Sequence, residues 1–235
     1  MKKLSVLFLT LCLCLACVGC GAAPEPETAE DTHAPSIHWR RDVTGKYLRD
    51  DAVRQIIAVQ AGDGTDAVVT LFEKSEVNGK DVWTETLRCD GYIGLSGLGK
   101  TKEGDNKTPT GDFGVTCAFG IKENPGTVLP YVDVDENTYC CGCEGEWYNQ
   151  IIDISEHPHD CANGEHLIEY SPEYNYGLFL DYNAAGEAGK GSAIFFHCSG
   201  ANTYTGGCIA VSEENMLTIL NAAEPGIRVI IDYLP

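Results

Sequence analysis

Between residues 55 and 87 the apolar positions fall in short β-branched runs rather than in helical stripes. Residues 55–60 (QIIAVQ) and 67–72 (AVVTLF) are two such runs, with Gly62-Asp63-Gly64 between them. Strand-like runs around a glycine-rich turn predict a hairpin. In residues 82–87, Val82, Thr84 and Thr86 alternate with Trp83, Glu85 and Leu87, the period of a half-buried strand. Residues 176–182, 193–196 and 227–233 predict further strands. One stretch has convincing helical spacing. Ser212 is placed to cap it, Glu213 and Glu214 sit in its first turn, Met216, Leu217 and Leu220 form an apolar stripe, and Pro225-Gly226 ends it. A second short helix is expected near residues 164–170. Many strands with few helices predict a single, mainly β domain over residues 37–235.

The amino terminus departs from that pattern. Lys2 and Lys3 precede an apolar run over residues 4–18, interrupted only by Ser5 and Thr10. The run is short for a permanent membrane span and predicts an export leader over residues 1–19. It ends in Cys17-Val18-Gly19-Cys20-Gly21, which resembles a bacterial lipobox. There the leader is cut before a cysteine that carries a diacylglycerol. Cys20 is the favoured lipidation site, Cys17 the second choice, and a plain cleaved leader the alternative. Residues 21–36 (GAAPEPETAEDTHAPS) hold three prolines and no large apolar residue. They predict a tether from Cys20 that extends over about 50 Å. The expected location is the bacterial cell envelope, outside the cytoplasm, with the lipid as the membrane anchor.

Composition narrows the function classes. Of 235 residues 43% are hydrophobic and 22% charged, ordinary globular usage that excludes global disorder. Sixteen Lys and Arg face 35 Asp and Glu, for a net charge of −19. Such an anion repels phosphate backbones, so no nucleic-acid partner is expected. The expected state is a monomer without cofactor.

Residues 192–211 carry the candidate chemistry: S-A-I-F-F-H-C-S-G-A-N-T-Y-T-G-G-C-I-A-V. His197 stands at the exit of one apolar strand, and Gly206-Gly207 lead into Cys208 at the start of another. On neighbouring strands, imidazole and thiol come within reach of each other, the arrangement of a Cys-His nucleophile. An imidazolium beside the thiol would supply thiolate. Gly206 and Gly207 leave room beside the sulfur for a substrate carbonyl and for backbone N–H donors to an oxyanion. No Asp lies in the stretch to orient His197, so a backbone carbonyl, from Cys198 onward or elsewhere, is the expected partner.

At this point the sequence resembles the L,D-transpeptidase catalytic domain, or YkuD domain. The matches are His197 with Thr205-Gly206-Gly207-Cys208-Ile209, and Gly104-Asp105-Asn106-Lys107-Thr108-Pro109-Thr110-Gly111-Asp112-Phe113, similar to the family's K-T-P-x-G-x-F block. The second block precedes the His, which precedes the Cys. The resemblance implies a β-sandwich-like fold and attack on the bond between the third residue and terminal D-Ala of a peptidoglycan stem. The cysteine would form a thioester, and an amine of a neighbouring stem would take the acyl group in a 3→3 cross-link. By position Cys208 is the nucleophile, His197 the base, and Gly207 with Cys208 the oxyanion donors. Water in place of the amine gives an L,D-carboxypeptidase. A catalytically silent wall-binding lipoprotein is the alternative from another class.

Three departures mark a divergent branch. Thr205-Gly206-Gly207-Cys208 replaces Ser-His-Gly-Cys, Ala210 stands where many members have Arg or Asn, and the loop from His197 to Cys208 is short. Lys107 and Lys190 are candidate substitutes for the missing cation, beside Thr205 and Gly206 as substrate contacts. The Thr108-Pro109-Thr110-Gly111 turn has no function by itself; its composition is ordinary turn chemistry.

Cys140, Cys141, Cys143, His157, His159, Cys161 and His166 form a second cluster. Their spacing does not match a standard zinc site, so disulfides or free thiols are favoured and no metal is expected. Cys198 is the expected leftover thiol, and a Cys198–Cys208 bridge would switch the enzyme off. Glu165-His166 is placed on a solvated helix face in preference to the cleft. Trp147 and Tyr148 fit either core or substrate groove.

Overall fold

The computed structural model describes residues 37–233 except Asp63, His159 and Cys161. The expected leader, Cys17, Cys20 and the tether lie outside the described residues. The elements are α1 (Ile37–Gly45), β1 (Gln55–Ala61), β2 (Asp66–Val77), β3 (Lys80–Tyr92), β4 (Gly111–Gly120), β5 (Tyr131–Asp133), β6 (Thr138–Cys140), β7 (Ile151–Asp153), β8 (Glu165–His166), β9 (Gly177–Leu180), β10 (Phe195–Cys198), β11 (Ile209–Val211), α2 (Glu213–Ala222) and β12 (Arg228–Tyr233). Among the described residues no helix is long and apolar enough to cross a membrane.

The fold is mainly β, as the sequence pattern predicts. β1 and β2 form the antiparallel hairpin, with Ile57 opposite Leu71 and Val59 opposite Val69. The main sheet runs β12-β1-β2-β3-β11-β10-β9-β4-β5, and β4 pairs with β12 as well. The sheet therefore closes on itself, with β5 attached to the side of β4. Inside lies the main core, which takes Ile57, Val59, Val69 and Leu71 from the hairpin and Val229 and Ile231 from β12. The outward residues of β1, Ile56 and Ala58, are buried against Val43 of α1. Two buried faces explain why β1 reads as a continuous apolar run. The helix α1 has no strong amphipathic pattern, and nothing in the sequence pointed to it.

The predicted helix is α2. Ser212 Oγ accepts from Asn215 N at 3.3 Å, and Met216, Ile219 and Leu220 are fully buried on the main core. Each such side chain contributes about 2 kcal/mol of burial free energy. The second predicted helix is a correction. Residues 165–166 form β8 against β6, and only Leu167–Glu169 make a 3-10 turn. Glu165 thereby leaves the helix face expected for it and stands half-buried on β8.

A further correction concerns the 193–196 strand. Ala193 has φ 54°, in the left-handed region that ends strand geometry. Pairing starts at Phe195 instead, so His197 lies inside β10 rather than at its exit. Period-two alternation then sorts the side chains. Phe196, Cys198, Ile209 and Val211 enter the main core. Phe195 and Cys208 pack into a second cluster with Phe119, Leu167 and Tyr174, and His197 and Ala210 line a cleft above it.

Candidate active site

β10 and β11 are adjacent and parallel, with Phe196 opposite Ile209 and His197 opposite Ala210. Cys208, two residues before Ala210, is thus diagonal to His197 on the same face. Both line one cleft of about 420 Å³. The imidazole is fixed through Nδ1, which donates to the Cys198 carbonyl at 2.7 Å. A carbonyl can only accept, so Nδ1 carries the proton and the neutral ring has its lone pair on Nε2. This is the backbone partner that the sequence called for.

The thiol is not hydrogen-bonded to the imidazole. Cys208 Sγ donates to the Ala193 carbonyl at 3.2 Å and accepts from Phe195 N at 3.3 Å. Burial pushes the thiol up to about 12, with the Glu165 charge adding to the shift and the Phe195 N–H and Lys100 opposing it. Burial lowers the pKa of His197, against the Cys198 carbonyl and Glu173, which favour the cation. The resting pair is therefore thiol and neutral imidazole, not the thiolate–imidazolium pair that sequence adjacency suggested.

Three loops meet behind the sulfur. Thr205 Oγ1 donates to the Cys208 carbonyl at 2.7 Å, and Thr108 Oγ1 donates to the same oxygen at 3.2 Å. Thr108 Oγ1 also accepts from Gly94 N at 2.8 Å, while Thr205 N and Leu95 N bond the 93–95 strip to residue 205 at 3.0 Å each. A Cβ at Gly94 would lie 2.5 Å from the Asn106 carbonyl oxygen, and one at Gly207 (φ 146°) 2.9 Å from that of Lys107. Only glycine lets these strips close up. The Thr108 turn, inert as bare turn chemistry, is part of the wall that holds the nucleophile loop. Gly207 N–H, a candidate oxyanion donor, donates to Thr205 Oγ1 at 3.1 Å.

Asn149 pins the opposite wall. Buried, it accepts from Ala193 N at 2.9 Å and donates to the Tyr182 and Asn183 carbonyls at 2.8 and 3.1 Å. The Ala193 carbonyl that holds the thiol is thereby fixed. Tyr148 is buried behind this wall, its hydroxyl bonding Glu103 at 2.6 Å, and Trp147 packs on His157. Neither lines the cleft.

The charges differ from expectation. Thr205 and Gly206 line the cleft, but Lys107 and Lys190 do not. Lys107 N–H donates to Asp105 at 3.1 Å, and Lys190 pairs with Glu187 at 2.5 Å on the surface. The lysine in the lining is Lys100, which carries no local signal in the sequence. It is buried, with its ammonium 3.1 Å from Asp105. Burial opposes ionisation of Asp105, yet backbone N–H groups of Thr101, Lys107 and Lys102 and the Lys100 ammonium hold its carboxyl well below the usual range. Glu103, Glu165, Glu169 and Glu173 complete an acidic cleft. Tyr174 was missed as a cleft residue, and Glu165, expected on a solvated helix face in preference to the cleft, lines it as well; their places depend on β8 and on a turn with no periodic signal.

The Cys198 thiol faces the main core and donates to the Tyr176 carbonyl at 3.5 Å. It lies on the opposite face of the sheet from Cys208, so the conjectured bridge between them does not form in this fold. In the second cluster, Cys143 Sγ donates to the Asp160 carbonyl at 3.6 Å and His166 stacks on Tyr139. His159 and Cys161 lie outside the described residues, and among those described no group of three or more His, Cys, Asp or Glu is arranged to hold a metal.

The domain is a closed, mainly β fold in which Cys208, just before β11, and His197 of β10 line one cleft. The family model for the L,D-transpeptidase catalytic domain (YkuD) matches residues 76–231, and the chain belongs to that family. No curated protein sequence matches the chain. Similar solved structures include the helical cell shape determining protein Pgp2 from Campylobacter jejuni, at 15% identity and TM-score 0.40, over 83% of this chain and 56% of that one. An Enterococcus faecium L,D-transpeptidase C442S mutant is similar at 14% identity and TM-score 0.32, over 76% and 49%. The Ldtfm–avibactam carbamoyl enzyme is similar at 14% and TM-score 0.33, over 77% and 49%. The chain spans about half the length of these structures.

Proposed function

We propose that the chain is a peptidoglycan L,D-transpeptidase working through a thioester on Cys208. The observation that carries this is the convergence of two distant blocks on one residue: Thr108 and Thr205 both anchor the Cys208 carbonyl, and His197 faces the same cleft. In the reaction, Cys208 Sγ leaves its bond to Ala193 and passes its proton to His197 Nε2 as it attacks the stem carbonyl. Gly207 N–H exchanges Thr205 Oγ1 for the developing oxyanion. The C–N bond to D-Ala breaks, and the imidazolium returns the proton to the departing amine. An amine of a second stem then attacks the thioester, its proton goes to His197, and the imidazolium passes it to the sulfur as the C–S bond breaks, restoring the thiol. Thr205 and Gly206 border the acyl-donor path. The protein acts in the cell envelope, as a monomer held to the membrane by a lipid on Cys20.

One observation favours a second reading, a silent wall-binding domain: the thiol is largely buried and bonded to the Ala193 carbonyl, with no bond to the imidazole. Incubation of the purified protein with disaccharide tetrapeptide separates the outcomes. Cross-linked dimers lacking one D-Ala are expected, and are absent with Cys208→Ala. Tripeptide alone means hydrolysis; an unchanged substrate means the silent domain.

A further inference from the structure

Glu165 is a half-buried cleft carboxyl that the reaction above does not use. It projects from β8 into the cleft that holds Cys208, and the Tyr174 hydroxyl donates to its Oε2. Tyr174 is the shared neighbour of both reactive groups. Its ring packs with Cys208 in the second cluster and stands edge-on to His197, with centroids 5.2 Å apart and planes at 82°.

We propose that Glu165 is a positioning residue for reaction at Cys208, a fixed carboxylate that holds the sulfur in its protonated, unreactive form while the cleft is empty. The proposal rests on Cys208 being the acyl carrier. A carboxylate in the same desolvated cleft disfavours a second anion on sulfur. Tyr174 keeps the carboxylate aimed, and its hydroxyl favours the charged form.

The groups facing this carboxyl are few. Tyr174 approaches from the 3-10 turn at residues 173–175, Glu103 from the loop before β4, and Cys140 stands opposite on the paired strand β6, while Lys100, His197 and Glu173 line the same cleft. Glu169 and Tyr170 stand on its own segment. Burial and the Glu103 charge raise the Glu165 pKa, against the Tyr174 bond. Lys100 acts on the thiol in the opposite direction, but its ammonium is already bonded to Asp105. The sign follows. As pH rises through the Glu165 titration the carboxylate forms, the thiol becomes harder to ionise, and its reactivity climbs less than tenfold per pH unit.

The test is alkylation of the full chain by iodoacetamide, with the rate at Cys208 read by peptide mass mapping from pH 5 to 10. Glu165→Gln is expected to react about tenfold faster at pH 8, equivalent to one pKa unit, and to lose the shallow segment of its profile. Tyr174→Phe is expected to shift the same way by a smaller factor, and answers the question if Glu165→Gln does not fold. Rates equal to or below wild type in the folded variants overturn the proposal. A purely structural role would change thermal stability without moving the profile. Alkylation requires no stem peptide, so failure here is distinct from failure of Cys208 to be acylated by a stem.

Discussion

The hydroxyl of Thr108 donates to the carbonyl oxygen of Cys208 at 3.2 Å across one hundred residues of chain. Its other bond, from Gly94 N, fixes the strip between the two loops. Thr108→Val keeps the shape but leaves a buried N–H without an acceptor. The expected cost is about 1–3 kcal/mol, read as a lower urea midpoint with unchanged slope, together with slower acylation of Cys208. Thr108→Ser should restore both. Wild-type stability in Thr108→Val would contradict the assigned role.

The lysines give a sharper contrast. Lys100→Ala removes the buried partner of Asp105 and is expected to cost about 3 kcal/mol, with loss of acylation. Lys107→Ala and Lys190→Ala, whose side chains lie outside the cleft, are expected to change neither property measurably. A loss of stem binding in Lys190→Ala, with Lys100→Ala unaffected, would revive the expectation from the sequence.

The resting protonation states set a pH dependence. The thiol is pushed up to about 12 and the imidazole is lowered, so no ion pair exists at neutral pH. Alkylation of Cys208 should therefore rise with pH through 6–10 without a plateau. A preformed pair would instead give fast alkylation that levels off near pH 6. His197→Ala should leave alkylation nearly unchanged yet slow stem acylation roughly a hundredfold or more, the usual weight of a general base. The two readouts on one variant separate base catalysis from thiol activation.

Much of this was legible in the sequence, and the gaps have physical reasons. The hairpin, α2 and the β10–β11 pair announce themselves through local periodicity, and local turn chemistry places Gly207 beside Cys208. Lys100, Glu165 and Tyr174 enter the cleft through contacts between distant loops, which no local pattern encodes. Cys198 turns on where the strand ends: because β10 runs through Cys198, alternation points its thiol away from His197 and into the main core. Lys107 was misplaced: its backbone, not its side chain, serves the site.

Asn149 tests the wall that holds the sulfur. Asn149→Ala leaves the Ala193 N–H and two carbonyls without their partner. With about 1–3 kcal/mol for each buried group left unpaired, a fall in thermal midpoint is expected. Acylation should fall further than stability alone explains, because the Ala193 carbonyl loses its anchor. Equal acylation rates for folded Asn149→Ala and wild type would detach this wall from the chemistry.

The most direct measurement is intact-protein mass spectrometry after incubation with a disaccharide tetrapeptide at neutral pH. The expected result is a covalent adduct with the mass of the stem less D-Ala, mapped to Cys208 and absent in Cys208→Ala. An unmodified protein that stays folded and binds the stem, or an adduct on another residue, would contradict the assignment of Cys208 as the acyl carrier.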